Sequence, residues 1–177
     1  MRIGGSPYSL TEYGKPATDA NTIFCFDIVK KVVGAVALPE SPTGYNLPTV
    51  QTGYQGTPGT TLWQGASINY GALSTQTVHM VADEPDCIFM AMCDATNPMT
   101  TASYIGKNAN INIAYNTGSL LTKQSGMTVN TTGIATTATL DLRLFRVSQI
   151  LPNAEGTNAI VEVIINKHEF GQQTAGV

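Results

Sequence analysis

The sequence predicts a mainly-β protein, a single barrel or sandwich of roughly seven to ten strands, and three observations lead there. Residues 136–147 (TTATLDLRLFRV) and 159–167 (AIVEVIINK) alternate apolar and polar side chains, the period of a half-buried strand. Charged residues are only 12% of the 177, about half the usual share, so the Glu/Lys/Arg surface of a helix bundle is missing. Polarity comes instead from Thr, Ser, Asn and Gln, and 17 Gly and 9 Pro supply the turns of a many-stranded sheet. With 42% hydrophobic residues, the chain has enough apolar surface for one well-cored domain.

Residues 1–20 lack any period and read as an extended N-terminal arm, removable without unfolding the rest. Residues 21–170 form the β-rich domain. Its first core segment, Thr22–Leu38, is β-branched and aromatic, broken in two at Lys30-Lys31 and Gly34. Four prolines and six glycines make 39–76 a long loop, in which Thr60–Trp63 and Ala66–Tyr70 can pair as edge strands. Ser41–Ala82 holds no Asp, Glu, Lys or Arg. Two readings stand for that stretch: a loop solvated by hydroxyls and amides, or a surface buried against neighbouring chains. Thr77–Ala82 and Cys87–Cys93 are strands joined by an acidic turn, and CIFMAMC suits a strand buried on both faces.

Asn110–Tyr115 alternates cleanly, and Gly126–Thr131 is the best strand candidate in the connection that follows. Leu140, Leu142 and Leu144 then share a face opposite Asp141 and Arg143. The phase slips by one at Phe145-Arg146-Val147, the signature of a β-bulge. Residues 171–177 form a short tail of small polar residues, expected with the arm to touch neighbouring subunits.

Net charge is −3 and no basic cluster exceeds Lys30-Lys31, which argues against nucleic acid as a partner. No run reaches the length of a membrane span, and the N-terminus shows no apolar secretory core. The three cysteines, Cys25, Cys87 and Cys93, sit in or beside apolar runs and read as core thiols in a reducing cytoplasm.

Candidate chemistry is sparse. Asp83, Glu84 and Asp86 are the tightest carboxylate cluster, but their spacing fits no calcium loop and Pro85 marks a plain turn. His79, Cys87 and Cys93 lack the short spacings of a zinc site. With two histidines and no G-x-S-x-G elbow, nothing points to a nucleophilic triad, and His168 reads as a surface histidine. Gly53–Gly59 resembles a phosphate loop but lacks its G-K-[ST] ending. Asn130-Thr131-Thr132 matches a glycosylation acceptor by chance. Loop aromatics Tyr8, Tyr13, Tyr45, Tyr54 and Trp63 suit either a sugar platform, an interface or the core. The expectation is therefore no catalytic residues, no metal, no cofactor and no enzyme activity.

ATTATLDLRLFRV (135–147), the Pro/Asn/Gly loop after it and AIVEVIINKHEFGQQTAGV (159–177) carry a family likeness. HMVADEPDCIFMAM (79–92) and TIFCFDIVKKV (22–32) fit the same pattern. Together they resemble small virion structural proteins of tailed bacteriophages, of the head decoration or cement type. The uncharged stretch 39–76 departs from that pattern, which has a simple strand pair there. The resemblance implies a β-rich protein, made in the bacterial host cytoplasm, on the outer capsid surface. It implies the major capsid protein and neighbouring copies of itself, as a homotrimer, for partners, with no cofactor. The alternative is another virion component, such as a tail- or fibre-associated carbohydrate-binding β-domain with Trp63 stacking on sugar.

Overall fold

The computed structural model describes residues 10–37, 46–52, 56–72, 74–113 and 118–177. The chain is mainly β, as its composition requires, with eleven strands and one short helix among the described residues. Five strands close into a barrel: β1 (Leu10–Lys15), β2 (Ile28–Ala37), β3 (Asn46–Thr52), β4 (Gly65–Ser67) and β5 (Thr77–Ala82). Their order around it is β1-β3-β2-β4-β5, closed by antiparallel pairing of β5 with β1 from Leu10↔Ala82 to Lys15↔Thr77. Tyr13, Ile23, Val29, Val50 and Val81 pack together as the barrel core.

A four-stranded antiparallel sheet follows, ordered β6 (Ile88–Met92), β11 (Ile160–Ile165), β10 (Leu142–Val147) and β7 (Asn108–Ala109). The helix α1 (Thr101–Tyr104) precedes β7, and β8 (Ile111–Asn112) pairs with β9 (Thr128–Val129) as a ribbon. Leu142, Leu144, Val161, Val163 and Ile165 bury the inner face of this sheet in a larger core shared with Ile28 and Trp63. That shared core joins barrel to sheet. So does backbone pairing, in which Trp63 N–H donates to Lys167 O and Glu169 N–H to Trp63 O, both at 2.8 Å.

Several sequence expectations hold and others are corrected. The β-bulge lies where the phase slips: the β10–β11 register shifts between Leu144 and Arg146. Arg146 then pairs its guanidinium with Glu162 at 2.7 Å. The arm expected over 1–20 is not free beyond Ser9, because Leu10–Lys15 is a barrel strand and Asp19 and Asn21 are buried; residues 1–9 lie outside the described residues. β2 runs unbroken through Lys30-Lys31 and Gly34.

The loop expected over 39–76 contains β3 and β4, both integral to the barrel. Pro48 is tolerated in β3 because it faces the irregularity between Val32 and Ala35 of β2, where a ladder donor is dispensable. The uncharged stretch accordingly supplies interior to both cores, with Val50, Trp63, Gln64, Ser67, His79 and Val81 all fully buried. β6 is an edge strand and half-buried, not a strand covered on both faces.

The tail 171–177 packs on its own domain. Arg143 and the Asn108 amide donate to Thr174, Gly176 N–H donates to Thr136 O, and Val177 N–H to Gly106 O.

Candidate functional site

Both histidines are buried and structural. His79 is fully enclosed, with Ser67 Oγ 2.7 Å from Nδ1 and Thr77 Oγ1 2.9 Å from Nε2. Ser67 spends its single hydroxyl proton on Asn69 O at 3.0 Å, so its oxygen accepts from Nδ1–H, and Nε2 accepts from Thr77. Burial, with the Lys15 charge nearby, pulls the His79 pKa down to about 4.

Lys15 is fully buried as well. Its ammonium donates to the carbonyls of Asp19, Ala72 and Thr75 at 3.0–3.4 Å, tying three segments at one end of the barrel. Desolvation lowers its pKa.

His168 is 1% exposed, correcting the surface reading. Nδ1 accepts the Phe170 N–H, which puts the ring proton on Nε2; burial lowers its pKa too. The acidic turn is divided. Asp83 is buried and accepts from Thr11 and from the Tyr13 hydroxyl at 2.8 Å. Burial first, then the Asp83 hydrogen bond and charge, pushes the Tyr13 pKa up. Among the described residues no three His, Cys, Asp or Glu side chains are placed to hold a metal. Cys93 is fully buried, its pKa pushed up to about 12 by desolvation. Thr131, in the glycosylation-like triplet, is buried with its hydroxyl on Asp94. No described helix is long and apolar enough to cross a membrane.

The aromatic candidates separate the same way. Trp63 is 0% exposed and Tyr13 is 4% exposed, so neither offers a ring to solvent; Tyr8, Tyr45 and Tyr54 lie outside the described residues. Trp63 Nε1–H donates to Asp141 Oδ1 at 2.9 Å. The same oxygen accepts Gly59 N–H, and Oδ2 accepts Ile111 N–H. Asp141 therefore ties the 57–63 turn, β8 and the start of β10 together; its own burial raises its pKa against these donors. The strand alternation places Asp141 on the face opposite Leu140, Leu142 and Leu144. No local pattern reveals its role, since all three donors are remote in sequence.

What the molecule does present is apolar surface on fixed loops. Residues 118–125 form a tight projection. Lys123 N–H bonds Ser119 O, Cys25 and residues 123–125 exchange two backbone hydrogen bonds, and the Lys123 ammonium lies 4.4 Å above the Tyr70 ring centre. Gly118 is required at its base, because a Cβ there would sit 2.3 Å from the Phe24 ring. At its tip Leu120 is 65% and Leu121 93% exposed. Beside it opens an apolar groove of about 400 Å³ with no charged side chain in its lining. Phe26, held at φ +69°, and Met92 are both exposed on its lining. Non-glycine residues rarely adopt that backbone conformation. Sequence reasoning missed this surface, because an apolar pair inside a Ser/Thr loop reads the same whether buried or displayed.

No protein family, no curated protein and no solved structure matches this chain in sequence or in fold.

Proposed function

We propose that this protein is a binding component of a tailed-bacteriophage head, a decoration or cement protein on the outside of the assembled shell. Its partners on this reading are the major capsid protein and further copies of itself, as a homotrimer. The observation that carries the reading is the pair Leu120-Leu121, displayed on a projection braced by backbone hydrogen bonds. Large apolar side chains held at a rigid tip are contact anchors: they lose little conformational entropy on docking and gain by leaving water. The low-charge surface supports the same reading, since hydroxyls and amides cost less to desolvate than ions. The resemblance of residues 22–32, 79–92 and 135–177 to such proteins supplies the particular partner. The sugar-platform alternative loses Trp63, which is enclosed.

The test is co-sedimentation with assembled shells that lack this protein. Saturable binding, weakened at least tenfold by Leu121→Ser, is the expected result. Absence of binding by the intact protein would sink the reading.

A further inference from the structure

The groove beside β6 has a wall of backbone that no described strand pairs: both polar groups of Ile88 and Met90 and the N–H of Met92, the Met92 carbonyl being taken by Val129 N–H in the Cys93↔Val129 bridge. Cys93 N–H donates to Ala159 O, on the side of β11, whereas Asp94 N–H donates to Val129 O, on the opposite side. Strand geometry alternates, so Phe89 and Ala91 bond to β11 while the N–H and C=O groups of Ile88, Met90 and Met92 point away from it. No described strand lies against that edge. The parallel bridge Cys93↔Val129 holds β6 to the facing segment at one point. From there the two diverge, because Gln124 pairs instead with Cys25. The result is a fork, with β6 on one side, residues 124–128 on the other, and Ile28, Ala66, Leu142 and Val163 among the apolar residues beneath.

Natural edge strands are blunted by Lys, Pro, bulges or coverage, because an open edge templates further strands. IFMAM carries none of these devices. The opposite edge of the sheet is short, two residues of β7, and Asn108 there is already bonded to Ala135 in both directions.

We infer that the outer edge of β6 accepts an extended, uncharged strand with apolar residues at alternate positions, donated by the shell subunit. The free backbone groups bond its main chain, and every second side chain enters the groove. A charged occupant is disfavoured, since no lining residue could pair with it. This chain's own C-terminal tail is engaged elsewhere, on Asn108, Thr136 and Gly106. The shell subunit as donor rests on the head-binding reading; the chemistry of the edge does not.

The experiment is residue-resolved amide exchange on the intact protein, free and with assembled shells. A second arm uses a capped heptapeptide of alternating Thr and Val. With shells, the amides of Ile88, Met90 and Met92 should slow at least tenfold while those of Phe89 and Ala91 hold steady. Met92→Pro removes an outward donor without touching the β11 ladder, and should weaken binding at least tenfold while the melting midpoint stays within a few degrees of the intact protein's. Shell binding with those three amides unaffected overturns the inference and leaves the head-binding reading standing. Protection by the heptapeptide without any shell binding overturns the donor and the head reading together, and retains the edge. Protection that grows with concentration of the protein alone assigns the edge to a second copy and overturns the shell subunit as donor. No protection in any arm overturns the whole inference.

Discussion

The barrel and the four-stranded sheet meet the same physical problem in opposite ways. A sheet edge exposes backbone donors and acceptors that must be satisfied or left to water. The barrel removes its edges by pairing β5 with β1, and Lys15 gathers three carbonyls at one end. The sheet ends at β6, where the outward backbone groups of Ile88 and Met90 and the Met92 N–H meet no described strand, beside an apolar groove. Among the described residues, one half closes on itself and the other keeps an edge. We read the closed half as the scaffold and the open half, with the Leu120-Leu121 projection, as the binding face.

The sharpest way to break this contrast is to open the barrel. Deleting residues 1–20 removes β1 together with Lys15, and the product is expected to lose cooperative melting altogether. A deletion confined to residues 1–9 should melt within a few degrees of the intact protein.

Next in size comes the joint between the halves. Asp141→Ala strands the Trp63, Gly59 and Ile111 donors in the core, which should cost about 3–5 kcal/mol in denaturant unfolding. Gly65→Ala belongs in the same range. Its Cβ would lie 2.2 Å from Ala82 O at φ +144°, forcing β4 off β5.

Acid should find the closed half first. His79 is held neutral in the fold with a pKa of about 4, below its ordinary 6.5, so the unfolded chain takes up the proton more readily. Its contribution is present above pH 6.5 and drains away as pH falls from there to about 4. His168 acts in the same direction. Asp141, with its pKa raised, acts in the opposite sense, favouring the fold as it protonates. The net expectation is a melting midpoint that falls steadily from pH 7 to pH 4.5. His79→Gln should flatten that slope even as it lowers the midpoint at pH 7; an unchanged slope would remove His79 from the explanation.

The smallest stability effects belong to the open half. Leu121→Ser and Met92→Val should each change unfolding free energy by less than about 0.5 kcal/mol, because neither side chain is buried. A larger loss would mean that the projection or the edge serves the fold.

The sequence disclosed one part of this contrast far better than the other. β10, β11 and the bulge between Leu144 and Arg146 follow from local alternation, since a half-buried strand writes its period directly into the chain. β1 and β3 were hidden. Leu10–Lys15 offers no apolar period, and Pro48 reads as a breaker unless the bulge across from it is known. β6 was visible as a strand but not as an edge, because an apolar run looks alike whether a neighbour covers it or not. His168 reads as a surface residue, and nothing local marks Lys15 or Asp141 as buried, since their partners are assembled only by the fold.

The reading of the open half as a binding face is tested most directly by an electron-microscopic reconstruction of phage particles incubated with this protein, the partner that the proposed head role names. The account expects many copies on the outer shell, repeated at each capsomer, with the Leu120-Leu121 projection and β6 turned toward the lattice. Copies confined to the tail, or seated on the shell with that face toward solvent, would contradict it.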